Sequence, residues 1–333
     1  MGSLGDGNKP KEVEDRSSHH LPKGKWLSGT SAGQRSTEVA FLALMQRLEL
    51  IAYYLPLAAC HYEEDIEYVH QLRVCCRRAM ATLHLFREFL PRKHCTSLKK
   101  ILREVRRAAG EARDLDVLEQ HLRCTSGNFD SKWEQLLAEY VRRQRQEAQP
   151  LLVITHARLT GLSLKSTSLY TKTVEIVLRK IRWRGKGKQP CFEQLARRRM
   201  HQVLRRIRKA AQADFSDLEQ IHAFRIHVKK LRYIMELLSG AFDSRFRGHY
   251  YPLVEKLQEP LGKLNDHASF AARLASWRAD DKGDPLFNAA IEERINAELQ
   301  AAEDSKAEFF SLWSARYEQH LFAGLKKYTT KGK

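Results

Sequence analysis

The chain has 333 residues, a formal net charge of +18 and 43% apolar residues. That is enough apolar material for a packed core and too much for a disordered chain. With only 17 Gly and 9 Pro, a turn-dense all-β fold is disfavoured. A mean hydropathy of −0.52, with no run approaching the ~18 apolar residues of a membrane span, argues against an integral membrane protein.

In chain order, residues 1–36 are polar and lack the apolar segment of an export signal, so they read as a disordered leader. The six cysteines (Cys60, Cys75, Cys76, Cys95, Cys124, Cys191) show no framework spacing and no C-x-x-C pair. They fit reduced thiols in a cytoplasmic protein. Helical periodicity then dominates. Helices are predicted over 37–60, bent or broken near Pro56; 66–90, ending at Pro91; 96–112; 115–124; and 131–160, breaking at Pro150. A loop over 161–170 and a helix over 171–183 lead to the linker Arg184-Gly-Lys-Gly-Lys-Gln-Pro190. Further helices follow at 191–212, 217–240, 246–261, 266–279 and 285–320, and 321–333 is a basic tail. No period-two run flanked by turn signals suggests a strand. The expected fold is all-α.

The charge is concentrated. His70–Arg113 is net +9 and Ala196–Arg232 net +8, whereas Asp280–Glu308 is net −6. Two patches holding nearly the whole net charge point to a polyanionic partner. The patches are also related. An offset of 152 residues pairs His70 with His222, Arg73 with Arg225, Arg77 with Lys229, Arg78 with Lys230, Gly110 with Gly262 and Asp114 with Asp266. A constant offset over about fifty residues indicates an internal duplication. Two pseudo-symmetric antiparallel bundles of about four helices each are predicted within one unit, 37–320. Its halves are 37–160 and 191–320, joined by 161–190.

At 100° per residue, Leu72, Cys76, Ala79, Leu83, Phe86 and Leu90 share one stripe, the expected core face. His70, Arg73, Arg77 and His84 share another. Lys99, Arg103, Arg106 and Arg113 repeat the device on the next helix. So do His222, Arg225, Lys229 and Arg232, and Arg198, His201, Arg205 and Arg208. Solvated faces mix signs at i,i+4; these contain almost no acids. Arginine forks match phosphate oxygens bidentately, lysine adds point charge, and imidazole donates from both nitrogens when protonated.

The stretch Val69-His-Gln-Leu-Arg-Val-Cys-Cys-Arg-Arg78 with Gly110-Glu-Ala-Arg-Asp-Leu-Asp-Val117 resembles the CHAD domain, the conserved histidine α-helical domain. So do Ile221-His-Ala-Phe-Arg-Ile-His-Val-Lys-Lys-Leu-Arg-Tyr233 and Leu257-Gln-Glu-Pro-Leu-Gly-Lys-Leu-Asn-Asp266. The resemblance spans roughly residues 37–320. It implies two pseudo-symmetric helical bundles around a basic central groove and binding of inorganic polyphosphate. It also implies the company of polyphosphate-metabolising enzymes or polyphosphate granules. Carried over residue by residue, it covers His70, Arg73, Arg77, Arg78, His222, Arg225, Lys229 and Lys230. The second-half counterparts of Arg103, Arg106 and Arg113 are Glu255, Gln258 and Asn265, so an asymmetric site is expected. No E-x-E-x-K strand motif accompanies the domain.

Three other readings compete. A metal site is disfavoured because His222 and His227 fall on different helix faces and Cys75 and Cys76 are adjacent, so no metal ligand and no cofactor is predicted. A polyphosphate-processing phosphohydrolase would need Asp114, Asp116 and Asp266 around an ion. Asp114 or Asp116 reads better as a helix cap or arginine partner, Asp266 as the cap of its own helix, and Gly110 and Gly262 as helix ends or close-packing positions. No catalytic residue is therefore assigned. RNA or DNA could bind the same surface, but single-strand binders add aromatic stacking platforms, and the stripes carry none.

Overall fold

The structure, a computed structural model, describes residues 24–125, 132–161, 168–280 and 285–330. Its elements are α1 (Ser36–Cys60), α2 (Glu67–Leu85), α3 (Arg92–Thr125), α4 (Lys132–Thr160), α5 (Leu169–Arg179), α6 (Phe192–Ala210), α7 (Leu218–Leu238), α8 (Tyr251–Asp280), α9 (Pro285–Leu312) and α10 (Ala315–Lys326). Short 3₁₀ turns follow α2 and α7, and a π-helical turn over Phe246–Tyr250 precedes α8. The fold is all-α, with no strand among the described residues.

The apolar stripes do what their period requires. Leu72, Cys76, Ala79, Leu83, Phe86 and Leu90 of α2 and its C-terminal turn are all buried, as are Leu98, Leu102, Val105 and Ala109 of α3. Each large side chain so buried contributes about 1.5–3 kcal/mol. Helices α1 to α4 pack in succession, with α4 returning to α1; α6 to α9 also pack in succession. The halves meet where α2 packs on α7, α1 on α6 and α4 on α9. One apolar core runs through both halves. A smaller one (Leu118, Val141, Phe270, Leu274, Trp277, Ile291) lies where α3, α4, α8 and α9 meet.

Several predicted breaks are absent. Helix α1 continues through Pro56, α4 through Pro150, and α8 through Gly262. The pairs 96–112/115–124 and 246–261/266–279 are each largely one helix, α3 and α8. A helix-interior proline costs about 3 kcal/mol and a glycine about 1. Flanking buried residues such as Leu55, Leu152 and Leu261 offset those costs. Neither Gly110 nor Gly262 ends a helix, and neither Asp114, Asp116 nor Asp266 caps one. Asp116 is instead buried in an ion pair with Arg145 of α4.

The ends also differ from expectation. Within the leader, residues 24–35 are packed: Leu27 is buried, Lys25 pairs with Glu255 at 2.9 Å, and Arg47 donates to the Lys25 carbonyl. Residues 1–23 and most of the 161–170 loop lie outside the described residues. Of the tail, 321–326 end α10, whose Leu321, Phe322 and Leu325, followed by Tyr328, join the main core, and 331–333 lie outside the described residues. Finally, Ser36–Cys60 is long and apolar enough to cross a membrane by length and composition, contrary to the hydropathy reading above. Its Val39, Ala43, Leu44, Leu48 and Ile51 are buried in the core.

Candidate functional site

Helices α2, α3, α7 and α8 enclose a cavity of about 550 Å³. The stripe of α2 supplies His70, Arg73 and Arg77, and α3 supplies Arg113 and Asp114. Helix α7 supplies Arg225 and Lys229, and α8 supplies Gln258, Asn265, Asp266 and Arg273. Six Arg and Lys side chains therefore face two Asp across one cleft.

Both aspartates are held by arginines, at positions that the 152-residue offset pairs. Arg73 Nη1 lies 3.2 Å from Asp114 Oδ1, and Arg225 Nη2 lies 3.7 Å from Asp266 Oδ1. Arg73 also donates to the carbonyls of Ala109 and Gly110. A Cβ at Gly110 would sit 3.5 Å from Arg73 Nη1, an ordinary contact, so this approach does not require glycine. Arg77 Nε donates to Tyr233 Oη across the α2–α7 contact at 3.0 Å, and Arg273 pairs with Glu111. Arg113 Nη1, Arg225 Nε and Gln258 Oε1 are buried without a hydrogen-bond partner. Buried polar atoms are normally bonded, so part of the hydrogen-bonding capacity of these side chains is unused.

Crowding has electrostatic consequences. Burial, then the nearby Arg113, holds the His70 imidazole down at about 4. Burial, then Arg225 and Arg77, lowers the Lys229 ammonium to about 8. Burial also lowers Arg73, Arg113 and Arg225. Each cation is costly beside the others, and an anion among them would relieve that cost.

Of the basic residues the sequence singled out, the cleft gathers His70, Arg73, Arg77, Arg113, Arg225 and Lys229. His222 lines an adjoining cavity of about 380 Å³ that shares Arg225, Asn265 and Ser269 with the cleft. Arg78 is a correction: it is buried, and its Nε donates to the buried Glu236 at 2.7 Å, so it holds α2 to α7 and presents no donor to the cleft. Arg232 is also turned to a structural role, stacked on Tyr233 and 3.8 Å from Glu255. Lys99, Arg103 and Arg106 lie on α3 outside the cleft wall, although Arg106 is close enough to lower Arg73. Exposed Arg198 pairs with Glu88, and His201, Arg205 and Lys230 are exposed outside the cleft.

Arg273 is a cleft cation that the repeat offset missed, because its counterpart is His121. The spacing Asn265, Ser269, Arg273 on one face of α8 is the signal that could have found it. Asn265 lines the cleft opposite Arg113, Gln258 lines it although its counterpart Arg106 does not, and Glu255 is occupied by Lys25 and Arg232.

The CHAD domain model matches residues 42–275. The chain belongs to the CHAD domain family. All six cleft lysines and arginines fall inside the matched range. The crystal structure of the CHAD domain from the plant Ricinus communis is similar, with a TM-score of 0.69 and 22% identity over 92% of this chain and 97% of that one. PptA from Streptomyces chartreusis is also similar, with a TM-score of 0.61 and 17% identity over 84% and 99%. At these identities the likeness concerns the fold. No curated protein matches the sequence.

Proposed function

We propose that the cleft binds inorganic polyphosphate as a ligand, without turning it over. The observation that carries this reading is the convergence of Arg73, Arg77, Arg113, Arg225, Lys229 and Arg273 on one cavity, with Arg113 Nη1 and Arg225 Nε buried and unpartnered. A flexible chain of phosphates can reach donors on four helices at once, and each guanidinium can take two of its oxygens. Membership of the CHAD family supports the same ligand class.

A polyanion with bases gains less from this cleft. Phe270 is the aromatic side chain on its wall, and it is only 7% exposed and stacked against His121. A buried ring already in contact offers no platform for base stacking. Turnover is disfavoured because Asp114 and Asp266 are each engaged by an arginine, leaving neither as a free base. Polyphosphate granules and polyphosphate-metabolising enzymes in the cytoplasm are the corresponding setting and partners.

Competition tests the reading. Labelled long-chain polyphosphate is displaced at ~150 mM salt by unlabelled polyphosphate, RNA, DNA and heparin at matched charge. Polyphosphate is expected to compete best, with affinity falling steeply with salt as counterions are released. Displacement by RNA or DNA at equal charge would overturn it in favour of nucleic acid.

A further inference from the structure

Behind the cleft wall, in the smaller core, three metal-ligating side chains from three helices meet. His121 of α3 places Nε2 2.7 Å from Glu298 Oε1, and His267 of α8 places Nδ1 2.7 Å from Glu298 Oε2. Glu298 is on α9, and its side chain is 3% exposed. All three ligand atoms lie within 4.8 Å of one another. The residues are separated by up to 177 positions, which is why no spacing motif betrays them. Two imidazoles and one carboxylate converging from the faces of packed helices form a donor set suited to a divalent transition metal.

We propose that His121, His267 and Glu298 form a binding site for a zinc-class divalent ion that ties α3, α8 and α9 together. Such an ion, bonded at about 2.0–2.2 Å, sets its ligands roughly 3.3–3.6 Å apart. Each N···O separation, now 2.7 Å, must widen by about 0.6–0.9 Å, and the ring protons facing Glu298 leave or move to the opposite ring nitrogens. The Phe270 ring, 5.1 Å from His121 in a stacked arrangement and 6.5 Å from His267, holds both imidazoles in place. Arg294 Nη2 lies 3.0 Å from Glu298 Oε1. With the ion on Oε2, that arginine competes for the carboxylate's charge from the other oxygen and so weakens the site. The site is independent of the polyanion reading: its ligands do not line the cleft, although Phe270 and Asp266 beside them do.

The test is titration of chelator-stripped full-length protein with Zn²⁺ and with Co²⁺, without polyphosphate. A His320→Gln background silences the exposed His249–His320 pair, whose Nε2 atoms are 3.3 Å apart. One equivalent is expected to bind, with the visible absorption of tetrahedral Co²⁺ and a rise in melting temperature. His121→Gln and His267→Gln, which keep a hydrogen-bond donor toward Glu298, should each weaken binding by at least about 10- to 100-fold. Arg294→Met should tighten it. No stoichiometric ion in the background protein, or equal binding by the His121→Gln and His267→Gln variants, would overturn the proposal. So would indifference of the affinity to Arg294→Met.

Discussion

Arg77 and Arg78 are neighbours on α2 and do opposite things. Arg78 is buried against Glu236, whose other oxygen accepts from Tyr251 Oη at 2.9 Å. Arg77 reaches the cleft beside Arg73, Arg113, Arg225 and Lys229. At the α2–α7 crossing each charge has a partner, and the charge is part of the scaffold. In the cleft the cations outnumber the acids, and part of their hydrogen-bonding capacity is unused. Position along the charge run therefore says little about role; the presence of a counter-charge from another helix separates a strut from a site.

The comparison breaks most sharply at Arg78. Arg78→Met strands a buried carboxylate, so denaturant unfolding should show a loss of about 3–5 kcal/mol. Arg77→Met, which gives up one hydrogen bond to Tyr233 and leaves no buried carboxylate, should lose less, about 1.5–3 kcal/mol at most. Arg73→Ala with Arg225→Ala, the pair matched by the repeat offset, mixes the two roles. Arg73 anchors α2 to the Ala109 and Gly110 carbonyls, so the double variant should lose stability together with polyphosphate affinity. Charge-assisted hydrogen bonds are worth about 1.5–3 kcal/mol each, which sets the scale of both losses in paired melts and titrations.

A smaller effect comes from pH. Bound polyanion stabilises the Lys229 ammonium, which sits at about 8 in the free protein. Affinity should hold below about pH 8 and decline as pH rises through that value. His70, held at about 4, is neutral in the free protein from pH 6 to 8. The tightening expected of an ordinary imidazole over that range should be missing and emerge only as pH falls toward about 4. A titration series across pH 4–9 reads both limbs. Least of all should Arg198→Ala with Arg205→Ala matter: exposed positions and a surface pair with Glu88 should move stability by about 1 kcal/mol or less, with polyphosphate affinity close to wild type.

Periodicity made the fold class, the apolar stripes and half the cleft legible, because Leu72 to Leu90 and His70 to Arg77 obey one helical repeat on two faces. It could not show that α3 runs on past Gly110, since the local cost of glycine is small beside the packing of Leu98, Leu102 and Val105. Nor could it show that Arg78 is internal. Its partner lies 158 residues away on α7, and the long-range contact decides the side chain's fate. Arg273 escaped for the opposite reason: it lies outside the repeat correspondence, and only the packing of α8 against α3 and α7 brings it to the wall.

The most direct measurement uses two cleft residues with no ion pair or hydrogen bond to the rest of the fold among the described residues, Arg113 and Lys229. Polyphosphate titration of Arg113→Gln with Lys229→Gln should show affinity lowered by about tenfold or more at ~150 mM salt, a shallower salt dependence and an unchanged melting temperature without ligand. Wild-type affinity and salt dependence in that folded variant would contradict the account.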